Sequence, residues 1–209
     1  MNKIITVITV LIAATAMAAA QNKMVGLFNT MPASWLTYLD ASERQSLADS
    51  ANAKGRAVVV NNLGDSTAIE AVGSNYLRLK CNKAHTMEMM LLKRTTEKDS
   101  VVCLVSTFKG PAKESTVAFF DTRWNRLSDN LAPTVTAQQL LQKPDTMTDA
   151  DFNSLVENLD PQLVAVSVSP KEQALTYTVS IPEVPKDKIM QLKGILLQRK
   201  FKWNGEKFN

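Results

Sequence analysis

The sequence has one histidine, two cysteines and seven glycines in 209 residues, and these scarcities exclude several kinds of chemistry at once. A Ser-His-Asp or Cys-His mechanism would have to pass through His85, the sole histidine, which stands in "NKAHTM" where a hairpin turn is expected. Both cysteines sit inside strand patterns, so no nucleophile-base pair is indicated. A zinc site built from several His and Cys ligands has no recognisable spacing, and no loop resembles an EF-hand. The glycines form neither a P-loop nor a dinucleotide fingerprint. Aromatic residues make up only 6% of the chain, so no aromatic-rich sugar cleft is indicated. Carboxylate-only glycoside chemistry stays open, because any two carboxylates can meet in a fold.

Charge is nearly balanced. The chain opens "MNKIITVITVLIAATAMAAAQNK", in which Lys3 precedes an uncharged, largely apolar run from Ile4 to Ala16. Ala18 to Ala20 supply the small residues of a signal-peptidase site, with cleavage expected after Ala20. The apolar run ends too early for a spanning helix, which needs roughly 20 apolar residues. No cysteine stands near the cleavage site to carry a lipid anchor. Removal of residues 1–20 takes Lys3 and no other charge, leaving 23 basic against 20 acidic residues, a net +3. Nucleic-acid binding domains concentrate a far larger excess on one face, so no nucleic-acid partner is expected. The expected product is exported, to the periplasm first with the cell surface or the extracellular space as alternatives, and without membrane insertion of the mature chain.

Cys81 and Cys103 each lie in an alternating apolar run with a third strand pattern between them. In a meander their strands are two apart, roughly 10 Å. A disulfide tolerates a Cα separation of only about 7 Å. The expectation is two buried thiols.

Two helix-then-sheet plans follow one another. Pro32 opens "MPASWLTYL" as a first helical turn, and Asp40 to Glu43 has capping-box spacing before a helix reaching about Ala53. "GRAVVVNNLGDSTAIEAVGS" reads as a hairpin, and "YLRLKC", "TMEMMLLK", "SVVCLVSTF" and "STVAFFDT" as four strands. After a boundary near Asp129, Pro133 takes the place of Pro32, and Thr148 to Asp151 repeats the capping-box spacing before the apolar face of Phe152, Leu155, Val156 and Leu159. "LVAVSVS", "ALTYTVSI" and "IMQLKGILLQRKFKW" then read as strands. Trp124-Asn125 and Trp203-Asn204 fall at the same late position in each plan. The expected class is α+β, with a signal peptide at 1–20 and tandem helix-plus-antiparallel-sheet subdomains at 21–128 and 129–209. Their outer sheet faces are expected to combine into one concave surface.

Other motifs favour plain structural readings. "GDST" at 64–67 is similar to the nucleophile block of the GDSL esterases, but that family needs a late histidine and none follows His85, so Gly64-Asp65 reads as a turn. "QRKFKW" is a half-buried strand with a solvated lysine face, and Met87 and Met89 are strand core. Four Asp-Ser/Thr-apolar triplets resemble the O-glycosylation acceptor of exported Bacteroidetes proteins. The one at Thr146 lies in the most exposed linker, where modification would add mass to the native protein.

"LFNTMPASWLTYL", "NNLGDSTAIEAVGSNYLRL" and "VVCLVSTFKGPAKESTVAFFDTRWNRL" together resemble an uncharacterised family of exported Bacteroidales proteins, a domain of unknown function. The resemblance runs from about Leu27 to Leu127. It implies export and carries over no catalytic, cofactor or metal residue. Phe120 replaces a tyrosine common in the family, which removes a phenol from that position. The tandem plan is also similar to beta-lactamase inhibitory protein, a protein-binding scaffold. The functional expectation is a non-enzymatic interaction module of the bacterial envelope, with an envelope protein or glycan as partner. A carboxylate-dependent hydrolase and a small-ligand capture protein are the alternatives.

Overall fold

In a computed structural model of the chain, residues 23–95 and 99–209 are described; the leader expected over 1–20 lies outside them. The first unit begins with helix α1 over 23–29 and a 3-10 turn at Ala33–Trp35. Helix α2, Ala41–Lys54, starts where its sequence dictates. The Asp40 carboxylate accepts the Glu43 N–H at 2.7 Å, and the Glu43 carboxylate accepts the Asp40 N–H at 2.8 Å, satisfying two otherwise unpaired donors. Gly55 ends the helix in the left-handed conformation, φ 70°. Just after Pro32 the backbone bonds along the chain span three residues, Leu36 N–H to Ala33 O and Leu39 N–H to Leu36 O, so that stretch stays a tight turn.

Six strands follow as an antiparallel meander in sequence order: β1 Ala57–Val60, β2 Ser66–Val72, β3 Tyr76–Lys80, β4 His85–Lys93, β5 Ser100–Lys109 and β6 Lys113–Phe120. The second unit carries 3-10 turns at Asp129–Leu131 and Ala137–Leu140, helix α3 at Asp149–Glu157, strands β7 Val164–Ser169 and β8 Ala174–Val179, helix α4 at Lys186–Lys193, and β9 Gln198–Lys202. Its three strands form a separate antiparallel sheet in the order β7-β8-β9. Thr148 caps α3 by accepting the Asp151 N–H at 3.1 Å. The α+β class therefore holds, with sheets of unequal size.

The C-terminal strand is shorter than its sequence pattern suggests. Residues 189–203 read as one strand, yet Lys186–Lys193 is helical and β9 starts only at Gln198. Pro185 sets an extended entry at the N-cap, Asp187 lies in the first turn and Lys193 in the last, a charge order that suits the helix dipole. Ile189 and Leu192 are three apart, a spacing that serves a helix face as well as a strand run.

The larger sheet is the middle layer of the protein. Its first face packs beneath α1 and α2 through Leu77, Leu79, Met87, Met89, Val102 and Leu104. Its second face, through Met90, Leu92, Val101, Cys103, Val105 and Phe119, shares a core with Leu155, Val166, Leu175, Tyr177 and Leu192 of the second unit. Eight of the nine β4 residues are buried, which explains why "TMEMMLL" runs apolar almost without a break rather than alternating. The expected concave surface made of two outer faces does not form. The second unit closes its core on the first, and Val166 N–H to Ser115 Oγ at 3.0 Å and Lys113 N–H to Ser180 Oγ at 2.7 Å tie the two together. The cysteines are free, buried thiols, Cys81 in the first core and Cys103 in the second.

The two Trp-Asn pairs close these two cores. Trp124, in left-handed backbone at φ 67°, donates its indole N–H to Leu27 O at 3.1 Å, 97 residues away. Trp203 donates to Lys93 O at 2.7 Å, 110 residues away, and its ring meets Phe208 edge-on at 5.4 Å. Each indole buries a large apolar body and satisfies its one donor on a distant segment. Gly205, just beyond, has φ 98° and faces Thr95, whose Cγ2 would lie 2.6 Å from an added Cβ.

Candidate functional site

His85 begins β4 and is buried in the helix-covered face, rather than exposed at a turn. Its Nε2 lies 2.7 Å from Ser106 Oγ and its Nδ1 3.0 Å from the Tyr38 hydroxyl, while Phe108 stacks on the ring at 4.1 Å. Sequence spacing could not join residues 38, 85 and 106, because α2 and three strands separate Tyr38 from His85 and Ser106 lies on the next strand. The trio has the outline of a proton relay but not the setting of one. Ser106 is 4% exposed in the middle of β5, between β4 and β6, where the ladders engage the neighbouring backbone donors that an oxyanion would need. Its role is to pair polar groups inside the core.

Burial lowers the His85 pKa below its ordinary value and pushes the Tyr38 phenol up, with Cys81 adding to the latter; burial also raises the Cys81 thiol to about 12. These thiols are not poised nucleophiles. For His85 the unfolded chain binds the proton more readily than the native one, so stability is lost as pH falls through about 6.5, the unfolded value, and the loss levels off below the native pKa. No other histidine exists to titrate there. Urea denaturation from pH 7.5 to 5 should show falling stability, and His85→Gln should flatten that dependence. Equal slopes for the two proteins would refute the assignment.

On the opposite face, four polar residues cross β2, β3 and β4. Arg78 and Glu88 are register partners, with Arg78 Nη1 at 3.8 Å from Glu88 and Nε at 3.1 Å from Glu70. The Tyr76 hydroxyl donates to Glu88, and burial followed by that carboxylate pushes the phenol pKa up. A depression of about 300 Å³ opens here against β7, lined by Arg78, Thr86, Glu88, Thr107, Ser167 and Thr178. A groove of about 590 Å³ adjoins it, and the two share Lys109, Lys113, Ala165 and Thr178. Among the described residues, Glu88 is the single carboxylate lining either one, so the paired carboxylates of glycoside hydrolysis do not meet there. Among the described residues, no group of three or more His, Cys, Asp or Glu is arranged to hold a metal ion. Sequence reading passed over Glu88, although a charge inside the apolar run "TMEMMLL" was the available signal.

The third feature is an edge. The second unit covers β4 to β6 and leaves the same face of β1 uncovered, so Val58 and Val60 are 67% and 69% exposed, and Leu63 in the following turn is 72% exposed. Among the described residues, the outer edge of β1 has no strand partner. A depression of about 710 Å³ beside it is lined by Ser50, Lys54, Arg56, Val58, Ala68 and Glu70.

The remaining sequence motifs fall where structural readings put them. Gly64-Asp65 forms the β1–β2 turn, with Gly64 at φ 72° and the Asp65 carboxylate accepting the Ser66 and Lys83 N–H groups. Met87 and Met89 are core. Thr146 is exposed in the turn before α3. No described helix is long and apolar enough to cross a membrane.

No curated protein matches the chain. A solved structure of a domain of an uncharacterized protein from Porphyromonas gingivalis W83 is similar at 20% identity and a TM-score of 0.71, covering 90% of this chain and 96% of that one. At that identity the likeness shows a shared fold. The resemblance drawn from residues 27–127 extends over almost the whole sequence, through both sheets and both cores: matched over residues 15–208, the chain belongs to the family described as Protein of unknown function (DUF3256).

Proposed function

We propose that the protein is an exported, non-enzymatic binding module of the bacterial envelope, working first in the periplasm and gripping a protein partner along the free edge of β1. The leader pattern of residues 1–20 supports export, and the exposed edge carries the binding reading. β1 reads Ala-Val-Val-Val, with no proline or charge inside it to discourage pairing. Natural edge strands usually carry such protection. An extended segment of a partner would find main-chain hydrogen bonds along the edge and apolar contact at Val58, Val60 and Leu63.

A photo-crosslinking residue placed at Leu63, with one at the equally exposed Met190 on α4 as control, tests this in the native host. Discrete protein adducts from position 63, lost when Val58→Lys and Val60→Lys are added, are expected. Identical adducts from positions 63 and 190, or none from 63, would overturn the reading.

A further inference from the structure

We infer that the groove between the β5–β6 turn and the start of β9 is a second binding site, for a phosphorylated amphiphile: a phosphate monoester carried on an apolar body. The site uses none of the β1 edge residues, so it stands or falls apart from the partner reading above.

The groove has two chemical zones. Lys109 and Lys113 lie on one wall, at either end of the turn through Gly110, Pro111 and Ala112, and Lys193 at the end of α4 lies on the other. All three lysines are exposed, and among the described residues none of them is ion-paired and no Asp or Glu lines the groove. Lys109 and Lys113 also line the adjoining depression that holds Glu88, but that carboxylate is met by Arg78, so the three ammonium groups leave the groove cationic and attract an anion carrying more than one charge. A phosphate monoester carries about −1.5 to −2 at neutral pH. Lysine suits it as a point charge, whereas a planar carboxylate is better met by the forked guanidinium of arginine.

Hydroxyl donors are built in as well. Ser180 is buried, and its Oγ is fixed by accepting the Lys113 N–H at 2.7 Å, which leaves its own O–H to donate; Thr178 lies two residues away on β8. The second zone is apolar, with Pro111, Ala112, Ile181, Leu196 and Leu197 lining the groove. Its shape is held by pairing at the far side, where Leu197 N–H donates to Leu140 O and Gln142 N–H to Ile195 O, both at 2.8 Å. At about 590 Å³ the space lies within the range of small-molecule sites, about 300–1,000 Å³.

Calorimetric titration with monododecyl phosphate, kept below its micelle concentration, tests the site in the full mature chain. One-to-one binding that weakens with added salt is expected, tighter than either dodecanoate or inorganic phosphate. Each Lys→Gln change at 109, 113 or 193 should weaken binding about threefold, and the triple variant roughly thirtyfold. These side chains are exposed, and an unchanged melting curve confirms that the variants fold. Sedimentation with phosphatidic acid vesicles distinguishes the source. Lysine-dependent co-sedimentation points to a membrane lipid, and titration binding without it points to a free ligand; either supports the site. Absence of monododecyl phosphate binding, binding unchanged in the triple variant, or equal affinity for dodecanoate would overturn it.

Discussion

Trp203→Ala should destabilise the protein by about 3–5 kcal/mol, the usual cost of truncating a large buried aromatic. Three losses add at this position. The indole fills the rim of the second core beside Phe208, its N–H satisfies the Lys93 carbonyl at the end of β4, and that bond joins the last strand to the larger sheet. Trp203→Phe separates the terms, because it keeps most of the apolar body and drops the donor; it should cost about 1 kcal/mol for the hydrogen bond plus a small packing loss. Urea denaturation of both variants measures the two terms. A Trp203→Ala cost below that of Trp203→Phe would mean that the indole is not the closure of this core.

Leu104→Ala should cost about 2–5 kcal/mol, although the neighbouring Cys103 and Val105 belong to a different core. Leu104 points beneath the helices and Val105 toward the second unit, because successive strand residues face opposite sides. The two cores therefore share a sheet but few side chains. The double variant Leu104→Ala with Trp203→Ala should sum its single effects within about 0.5 kcal/mol, as sites without common partners do. The background for such a double variant must be stabilised, since small domains have only about 5–15 kcal/mol in total. A large coupling energy would show that the sheet transmits repacking from one face to the other. In either variant, hydrogen exchange would report which helices open first.

Much of the first unit was legible because its signals are local. The Asp40–Glu43 box starts α2 where the side chains can reach the backbone, and the Asn-Asn-Leu-Gly-Asp turn before β2 follows from residues that tolerate its geometry. The thiols at 81 and 103 could be separated from strand count alone. Where local signals are ambiguous, pattern alone does not decide: Ile189 and Leu192 fit a strand or a helix, and Pro185 with Asp187 favours α4. The region around Pro32 lacked the length to hold more than a 3-10 turn.

The candidate sites were much less visible. His85 is the only residue flagged in the sequence whose surroundings became chemically informative, and its partners Tyr38 and Ser106 come from elements that meet only in the folded core. The lysine groove joins residues 109, 113 and 193, and Val58 with Val60 is exposed only because the second unit stops short of β1.

The sequence by itself determined the α+β class, the antiparallel strands, the free buried thiols and the paired Trp-Asn positions, since each follows from capping chemistry, alternation or spacing within a few residues. Tertiary structure decided that the larger sheet is covered on both faces, that Trp124 and Trp203 each close a core by bonding to a segment about a hundred residues away, and that an apolar edge and a cationic groove remain open. Those features depend on how far one layer extends over another, and coverage is a property of the packed layers that no local pattern encodes.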